Sequence, residues 1–183
     1  MADRDALTGL LLVGGASTRF GSPKALARLG DETLAERAWR LLGEVCEERL
    51  AVGKRADALE LPFPLLDDGT AVRAALAGLV AGLRAASHEV VLVVPVDCPL
   101  LDAASLRRLA AACRDAAVPQ TGPLPGAYAR AALPVFERQL AARELRIRDA
   151  FAELETVTVD LEAKLLVNVN EPADLAALTA AGS

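Results

Sequence analysis

The sequence predicts an α/β protein, a three-layer α/β/α sandwich built on a mostly parallel, Rossmann-like sheet. Apolar runs and amphipathic stretches alternate about every 20–25 residues, as expected for strand–helix units. The run from Val90 to Val96 is apolar throughout, which is typical of a strand buried on both faces. Glycines and charged residues follow the apolar runs, where parallel strands end and ligands bind. A length of 183 residues favours one domain spanning residues 1–183.

The first half of the chain predicts three strands and two helices. A buried strand at 8–13 ends at Gly-Gly, and a polar loop covers 16–30. Thr33 and Glu36 form a capping box before a helix whose apolar residues recur with a period of 3.6. Further strands are predicted at 48–52 and 65–66. The apolar faces of the two predicted helices comprise Leu34, Ala38, Leu41, Leu42 and Val45, then Val72, Leu76, Leu79, Val80 and Leu83.

The second half follows the central strand and is predicted from caps and short apolar runs. Asp102 can cap a helix that ends near Cys113, and Pro172 is tolerated in the first turn of a last helix. Other helices are predicted near 132–142 and 147–153. Strands are predicted at 127–129, as an edge strand, and at 156–159 and 165–169.

Composition and charge exclude several classes of function. The chain is 53% hydrophobic with a formal charge of −5 and lacks a Lys/Arg cluster, so we expect no nucleic-acid partner. No apolar run reaches the roughly 18 residues of a membrane span, and the N-terminus lacks the shape of a signal peptide. We therefore expect a cytoplasmic protein without a membrane partner. Three cysteines and one histidine suggest neither a disulfide framework nor a multi-histidine metal site.

The loop after the first strand, from Leu12 to Lys24, predicts a phosphate-binding site. Gly14 and Gly15 allow a ligand to approach the backbone, whose N–H groups can surround anionic oxygens. Arg19 and Lys24 add positive charge suited to a triphosphate. The spacing fits neither a dinucleotide fingerprint nor a P-loop. The alternative is a Gly-Gly turn that merely ends a strand, with two solvated cations.

Polar residues after three other strands complete the candidate site. Asp97 follows the central strand and can hold Mg²⁺ together with a triphosphate; the alternative is a turn or a cap. Asp68 can reach a ribose hydroxyl or a base edge, or it can simply form an Asp-Asp-Gly turn. Asn168 and Asn170 can bind an acceptor or a metal, although Asn170 can equally cap the last helix.

These motifs together resemble the MobA-like nucleotidyltransferases over nearly the whole chain. The matching segments are the loop 12–24, Asp-Cys-Pro at 97–99, Leu-Pro-Gly-Ala-Tyr at 124–128 and Val-Asn-Val-Asn-Glu-Pro-Ala-Asp-Leu at 167–175. The loop is specific for the superfamily, and the asparagine motif points to its guanylyltransferase branch. The resemblance implies that GTP and molybdenum-bearing molybdopterin give the guanine dinucleotide cofactor and pyrophosphate.

The resemblance also implies roles for individual residues. Leu12, Val13 and Gly14 match the nucleotide-contacting loop, and Lys24 matches the phosphate-binding lysine. Asp68 matches a nucleotide-binding aspartate and Asp97 the Mg²⁺ ligand near the GTP. Asn168 and Asn170 match acceptor-side positions. We also expect transient contact with cofactor-delivering or cofactor-receiving proteins, and a monomer or weak oligomer.

Two departures from the family pattern concern the choice of nucleotide. Ala-Ala-Leu-Ala-Gly at 74–78 replaces the usual Gly-Pro-Leu-x-Gly, and Val52-Gly53 stands where the family often has an asparagine. Both changes lie where the base or ribose would bind. The alternatives are therefore a cytidylyltransferase on the same cofactor, a sugar- or alcohol-phosphate nucleotidyltransferase, or a nucleotide-binding domain without turnover.

Overall fold

The fold is known from a computed structural model that describes residues 5–14 and 23–181. Within these ranges the chain forms a seven-stranded sheet of order β5-β4-β1-β6-β8-β7-β9 and a small two-stranded sheet, β2-β3. The strands are β1 (Asp5–Leu12), β2 (Arg28–Leu29), β3 (Glu32–Thr33), β4 (Cys46–Gly53), β5 (Leu65–Asp67), β6 (Val90–Pro95), β7 (Ala116–Pro119), β8 (Gly126–Ala129) and β9 (Thr156–Val159). The α-helices are α1 (Leu34–Val45), α2 (Ala75–Ala85), α3 (Ala103–Ala112), α4 (Leu133–Ala142) and α5 (Pro172–Ala181).

The predicted three-layer sandwich is confirmed. β1 alternates its side chains between two cores: Leu11 packs with α1 and α3 on one face, and Leu10 packs with α2 and α4 on the other. The strands β5, β4, β1 and β6 run parallel, and β8 is the only strand described in the seven-stranded sheet that runs opposite to the other six. Their register places Leu12 opposite both Val52 and Pro95. The carboxyl ends of these four strands therefore meet at one edge of the sheet.

Local signals in the sequence set the ends of two helices. The Thr33 side chain accepts a hydrogen bond from the Glu36 N–H, and the Glu36 carboxylate accepts one from the Thr33 N–H, which confirms the capping box. The Asp102 carboxylate caps α3 by accepting from the Ser105 N–H at 2.7 Å. α2 begins at Ala75, so Val72 lies before the helix rather than on its apolar face.

Three predicted elements of the second half differ from the structure. The segment at 126–129 is not an edge strand: it lies between β6 and β7, where Tyr128 is fully buried. The run at 165–169 is not a strand, because Ala163–Leu166 forms a 3₁₀ helix and the Val169 N–H donates to the Asp97 carbonyl rather than to a strand ladder. The helix predicted at 147–153 is a 3₁₀ helix, Ile147–Ala152.

A polar cluster ties β1 and β4 together near the other end of the sheet from Leu12. Glu48 accepts hydrogen bonds from the Thr8 hydroxyl at 2.5 Å and from the Ser87 N–H and hydroxyl at 2.8 Å. His88 lies beside Thr8 in the loop before β6 and approaches Glu47 at 3.3 Å. Burial raises the pKa of Glu48, but the bonds from Ser87 and Thr8 outweigh it, so the pKa lies below its ordinary value of 4.5.

Glu48→Gln should therefore destabilise the fold in a pH-dependent way. Because the folded-state pKa is depressed, the carboxylate stabilises the protein above about pH 4.5, and this contribution is lost as pH falls through the folded pKa. We expect the variant to lose about 1–3 kcal/mol near neutral pH, the range for hydrogen bonds to a charged group. In urea unfolding, the difference in unfolding free energy between the variant and the wild type should become smaller at acidic pH. Glu47→Gln, on a more exposed carboxylate, is the control, and a loss of constant size at every pH would contradict the prediction.

Candidate active site

Two groups of predicted site residues lie at the shared carboxyl edge of the strands. One group surrounds a pocket beside β4, β5 and the start of α2. The other gathers around Asp97, directly after β6. Gly15 and Arg19 lie outside the described residues, so their positions in this arrangement stay predictions.

The pocket has a volume of about 280 Å³ and combines an apolar floor with a charged rim. Backbone and small side chains form the floor, because Gly78 lets α2 approach β1 closely: a Cβ on Gly78 would lie 2.8 Å from Leu12 Cδ2. The rim carries Lys54, Asp68 and Arg73. The complete lining is Leu12, Gly14, Val52, Gly53, Lys54, Asp68, Arg73, Ala74, Ala75 and Gly78.

Two of the predicted loop residues line this pocket and one lies beneath it. Leu12 and Gly14 are part of the lining. The Val13 side chain is buried in the core, and its N–H donates to the Val52 carbonyl at 3.0 Å. Gly14 extends the backbone beyond this last strand bond, at a place where a ligand can reach it.

Asp68 lies on the rim, where it forms an ion pair with Lys54, a residue that the sequence analysis did not select. Lys54 Nζ lies 2.6 Å from Asp68 Oδ1, and the side chains are only 11% and 5% exposed. Lys54 also donates to the Thr70 carbonyl. The sequence signal for Lys54 is that a charged residue directly follows the apolar end of β4. Asp68 and Asp97 follow apolar strand ends in the same way.

The second group brings together a cation, a carboxylate and two amides. Lys24 Nζ lies 3.6 Å from Asp97 Oδ2 and 3.4 Å from Asn170 Oδ1. Lys24 begins a short 3₁₀ helix, Lys24–Leu26, which is anchored by the buried Ala25. Asn170 therefore contacts the site lysine through its side-chain oxygen, and its role in acceptor binding stays a prediction.

Cys98 connects Asp97 to the asparagine segment and was not predicted to belong to the site. Burial and the neighbouring Asp97 carboxylate raise the pKa of the Cys98 thiol to about 12, so the thiol keeps its proton near neutral pH. Its Sγ donates to Asn168 Oδ1 at 2.9 Å. With the bond from the Val169 N–H to the Asp97 carbonyl, this contact fixes residues 168–170 against the end of β6.

The donor set around Asp97 fits a small divalent cation that also binds phosphate. The oxygens of Asn168 and Asn170 already accept from Cys98 and Lys24, so the ligand is the half-buried carboxylate of Asp97, which is 26% exposed. Oxygen ligands of this kind suit Mg²⁺, which usually takes one or two carboxylates and completes its shell with phosphate oxygens and water. Within 5–14 and 23–181 no three acidic, histidine or cysteine side chains cluster to form an all-protein metal cage.

The comparisons with known proteins show which family the chain belongs to. Residues 9–157 match the family model described as the MobA-like NTP transferase domain. Probable molybdenum cofactor guanylyltransferases of Chloroflexus aggregans and Deinococcus radiodurans are 35% and 37% identical. The first alignment covers 92% of this chain and 91% of the relative, and the second covers 96% and 95%.

Solved structures share the fold. Molybdopterin-guanine dinucleotide biosynthesis protein A from Archaeoglobus fulgidus superposes with a TM-score of 0.80 at 23% identity, over 96% of this chain and 98% of that one. The 2-C-methyl-D-erythritol 4-phosphate cytidylyltransferase from Thermus thermophilus gives 0.73 at 22% identity, over 94% and 97%. No helix in the described ranges has the length and apolarity to cross a bilayer. The match over residues 9–157 and the two relatives show that the chain belongs to the MobA-like NTP transferase family.

Proposed function

We propose that this protein is a molybdenum cofactor guanylyltransferase, which transfers GMP from GTP to molybdenum-bearing molybdopterin and releases pyrophosphate. The observation that carries the proposal is a nucleoside-sized pocket at the end of β1 together with a lysine–aspartate pair, Lys24 and Asp97, at the end of the neighbouring strand β6. The names of the relatives support the same reaction.

The pocket is the half of the site that receives the nucleoside. The apolar floor offers a flat base a surface to pack on, with Leu12 and Gly14 at the end of β1. Asp68 on the rim can accept a hydrogen bond from a ribose hydroxyl, because a carboxylate is an acceptor for O–H donors. The triphosphate then extends past Gly14 toward Lys24. Gly15 and Arg19 are proposed to bind it further along the loop.

The cluster around Asp97 is the half of the site where transfer takes place. Transferases of this family generally depend on a divalent metal, and Mg²⁺ held by Asp97 would neutralise phosphate charge there. The acceptor's terminal phosphate oxygen attacks the α-phosphorus in line, and pyrophosphate leaves. Lys24 stabilises the negative charge that accumulates on the transferred and leaving groups, which is the main catalytic requirement of such transfers.

Asn168 and Asn170 border the side from which the acceptor approaches. Cys98 holds the oxygen of Asn168, so the amide nitrogen of that residue remains a donor for a phosphate or pterin oxygen. Asn170 contacts Lys24 and can align the lysine with the acceptor phosphate.

A nucleotide panel tests this proposal. Pyrophosphate release should be measured with GTP, CTP and ATP, each with molybdopterin, a sugar 1-phosphate or an alcohol phosphate, and Mg²⁺. We expect GTP with molybdopterin to exceed every other pair by at least about 100-fold, because a mismatched base leaves polar groups unpaired.

Each alternative predicts a different result in the same panel. Preference for CTP would identify a cytidylyltransferase, in keeping with the missing asparagine beside Gly53. Turnover with a sugar or alcohol phosphate would identify that compound, rather than molybdopterin, as the acceptor. Nucleotide binding without pyrophosphate release in the presence of molybdopterin would indicate a domain without turnover.

A further inference from the structure

The ion pair between Lys54 and Asp68 is unusually well buried for this chain. Its two side chains are 11% and 5% exposed, whereas those of Arg138 and Glu153 are 60% and 57% exposed. Removing two charges from water is costly, so a buried pair is weak evidence for a role in stability alone. Both partners line the nucleoside pocket, which suggests a role in binding.

The hydrogen bonds of Asp68 leave one carboxylate oxygen for a ligand. Oδ1 accepts from Lys54 Nζ at 2.6 Å and from the Thr70 N–H at 3.1 Å. The Asp68 N–H donates to the Gly53 carbonyl, which fixes the backbone against β4. Among the residues described by the structure, none donates to Oδ2. The carboxylate is thus held by one oxygen and offers the other.

The chemistry of the pocket indicates which part of the nucleotide meets Oδ2. The strand ends and the first turn of α2 form an apolar floor suited to the flat base. Charged side chains occur on the rim, and ribose hydroxyls are the donors that a nucleotide presents beside its base. A rim carboxylate with one oxygen already held therefore suits a hydroxyl.

We propose that Lys54 is a positioning residue of the nucleotide site, which holds Asp68 Oδ1 so that Oδ2 accepts a hydrogen bond from a ribose hydroxyl. This inference rests on the proposed function insofar as the pocket receives a nucleoside. The bond from Lys54 to the Thr70 carbonyl also fixes the segment that supplies the second donor to Oδ1. Lys54 thereby sets the orientation of the carboxylate without contacting the reacting phosphates.

The test measures, for the wild type and each variant, how strongly the affinity for the nucleotide depends on its ribose hydroxyls. Calorimetry with Mg²⁺ measures binding of GTP, 2′-deoxyGTP and 3′-deoxyGTP to the wild type, Lys54→Met, Lys54→Arg and Asp68→Asn. In the wild type, we expect loss of one of the two hydroxyls to weaken binding by about 10-fold, since hydrogen bonds to charged groups are strong. In Lys54→Met and Asp68→Asn this factor should fall below about 2-fold. Lys54→Arg should restore part of it, and Lys164→Met, on an exposed lysine that does not line the pocket, should retain all of it.

Each other outcome contradicts the proposal. The factor compares nucleotides on one variant, so partial unfolding of Lys54→Met lowers all three affinities equally and cancels. An unchanged factor in Lys54→Met would mean that Lys54 has only a structural role. If replacing GTP by ITP, which lacks the 2-amino group, weakens binding more than either deoxynucleotide does, Asp68 contacts the base rather than the ribose. If the panel selects CTP, the same comparison with its deoxy analogues tests Lys54 while guanine selectivity fails.

Discussion

Asp97→Ala is expected to lower kcat by at least about 10³-fold at saturating GTP and Mg²⁺, equivalent to roughly 4 kcal/mol of transition-state stabilisation. Asp97 supplies the carboxylate at the end of β6, beside Lys24 at 3.6 Å. Without it, the cation and the lysine lose their shared anionic partner, and the phosphates lose the group that orients them. Pyrophosphate release under single-turnover conditions measures the effect on the chemical step.

The backbone contact of Asp97 does not depend on its side chain, so the effect on catalysis can be separated from unfolding. The Asp97 carbonyl, which accepts from the Val169 N–H, belongs to the backbone and remains in the alanine variant. Asp149→Ala, an exposed aspartate far along the chain, provides a matched control with unchanged kcat. A near-normal kcat for Asp97→Ala would reject the metal-binding role.

Lys24→Ala should lower kcat/KM by about 2–4 kcal/mol, or roughly 30- to 1000-fold, the range for loss of one preorganised charged donor. Its ammonium lies between Asp97 Oδ2 and Asn170 Oδ1, so it connects the metal side with the acceptor side. We expect most of the loss in kcat, because charge on the leaving pyrophosphate develops in the transition state.

Lys24→Arg distinguishes charge from geometry at the same position. Arginine keeps the positive charge with a different donor arrangement, so kcat/KM should recover only in part. Steady-state kinetics with GTP and the acceptor varied separately give the kcat and KM components. Unchanged kinetics in Lys24→Ala would remove this residue from the site.

Much of the fold could be predicted because its signals are local. The capping box at Thr33 and the apolar run of β6 each depend on neighbouring residues, and both occur in the structure. The apolar run at 165–169 gave a wrong prediction, because the partner of Val169 is the Asp97 carbonyl and not another strand. Periodicity alone does not identify such a partner.

The candidate site could be predicted only in part, for a similar reason. Asp68 and Asp97 follow apolar runs, and the rule that ligands bind at the carboxyl ends of parallel strands suffices to select them. Lys54 and Cys98 matter through contacts with Asp68 and Asn168, which form only when the chain folds. No single stretch of sequence contains both partners of the Cys98–Asn168 contact, since they are seventy residues apart.

That separation along the chain has a consequence for synthesis. The nucleoside pocket uses residues from Leu12 to Gly78, all of which leave the ribosome before Asn168 is made. The bond between the Val169 N–H and the Asp97 carbonyl can form only after the last part of the chain has been translated. A chain truncated before Asn168 would keep every residue that lines the pocket but lose the segment that packs against the end of β6.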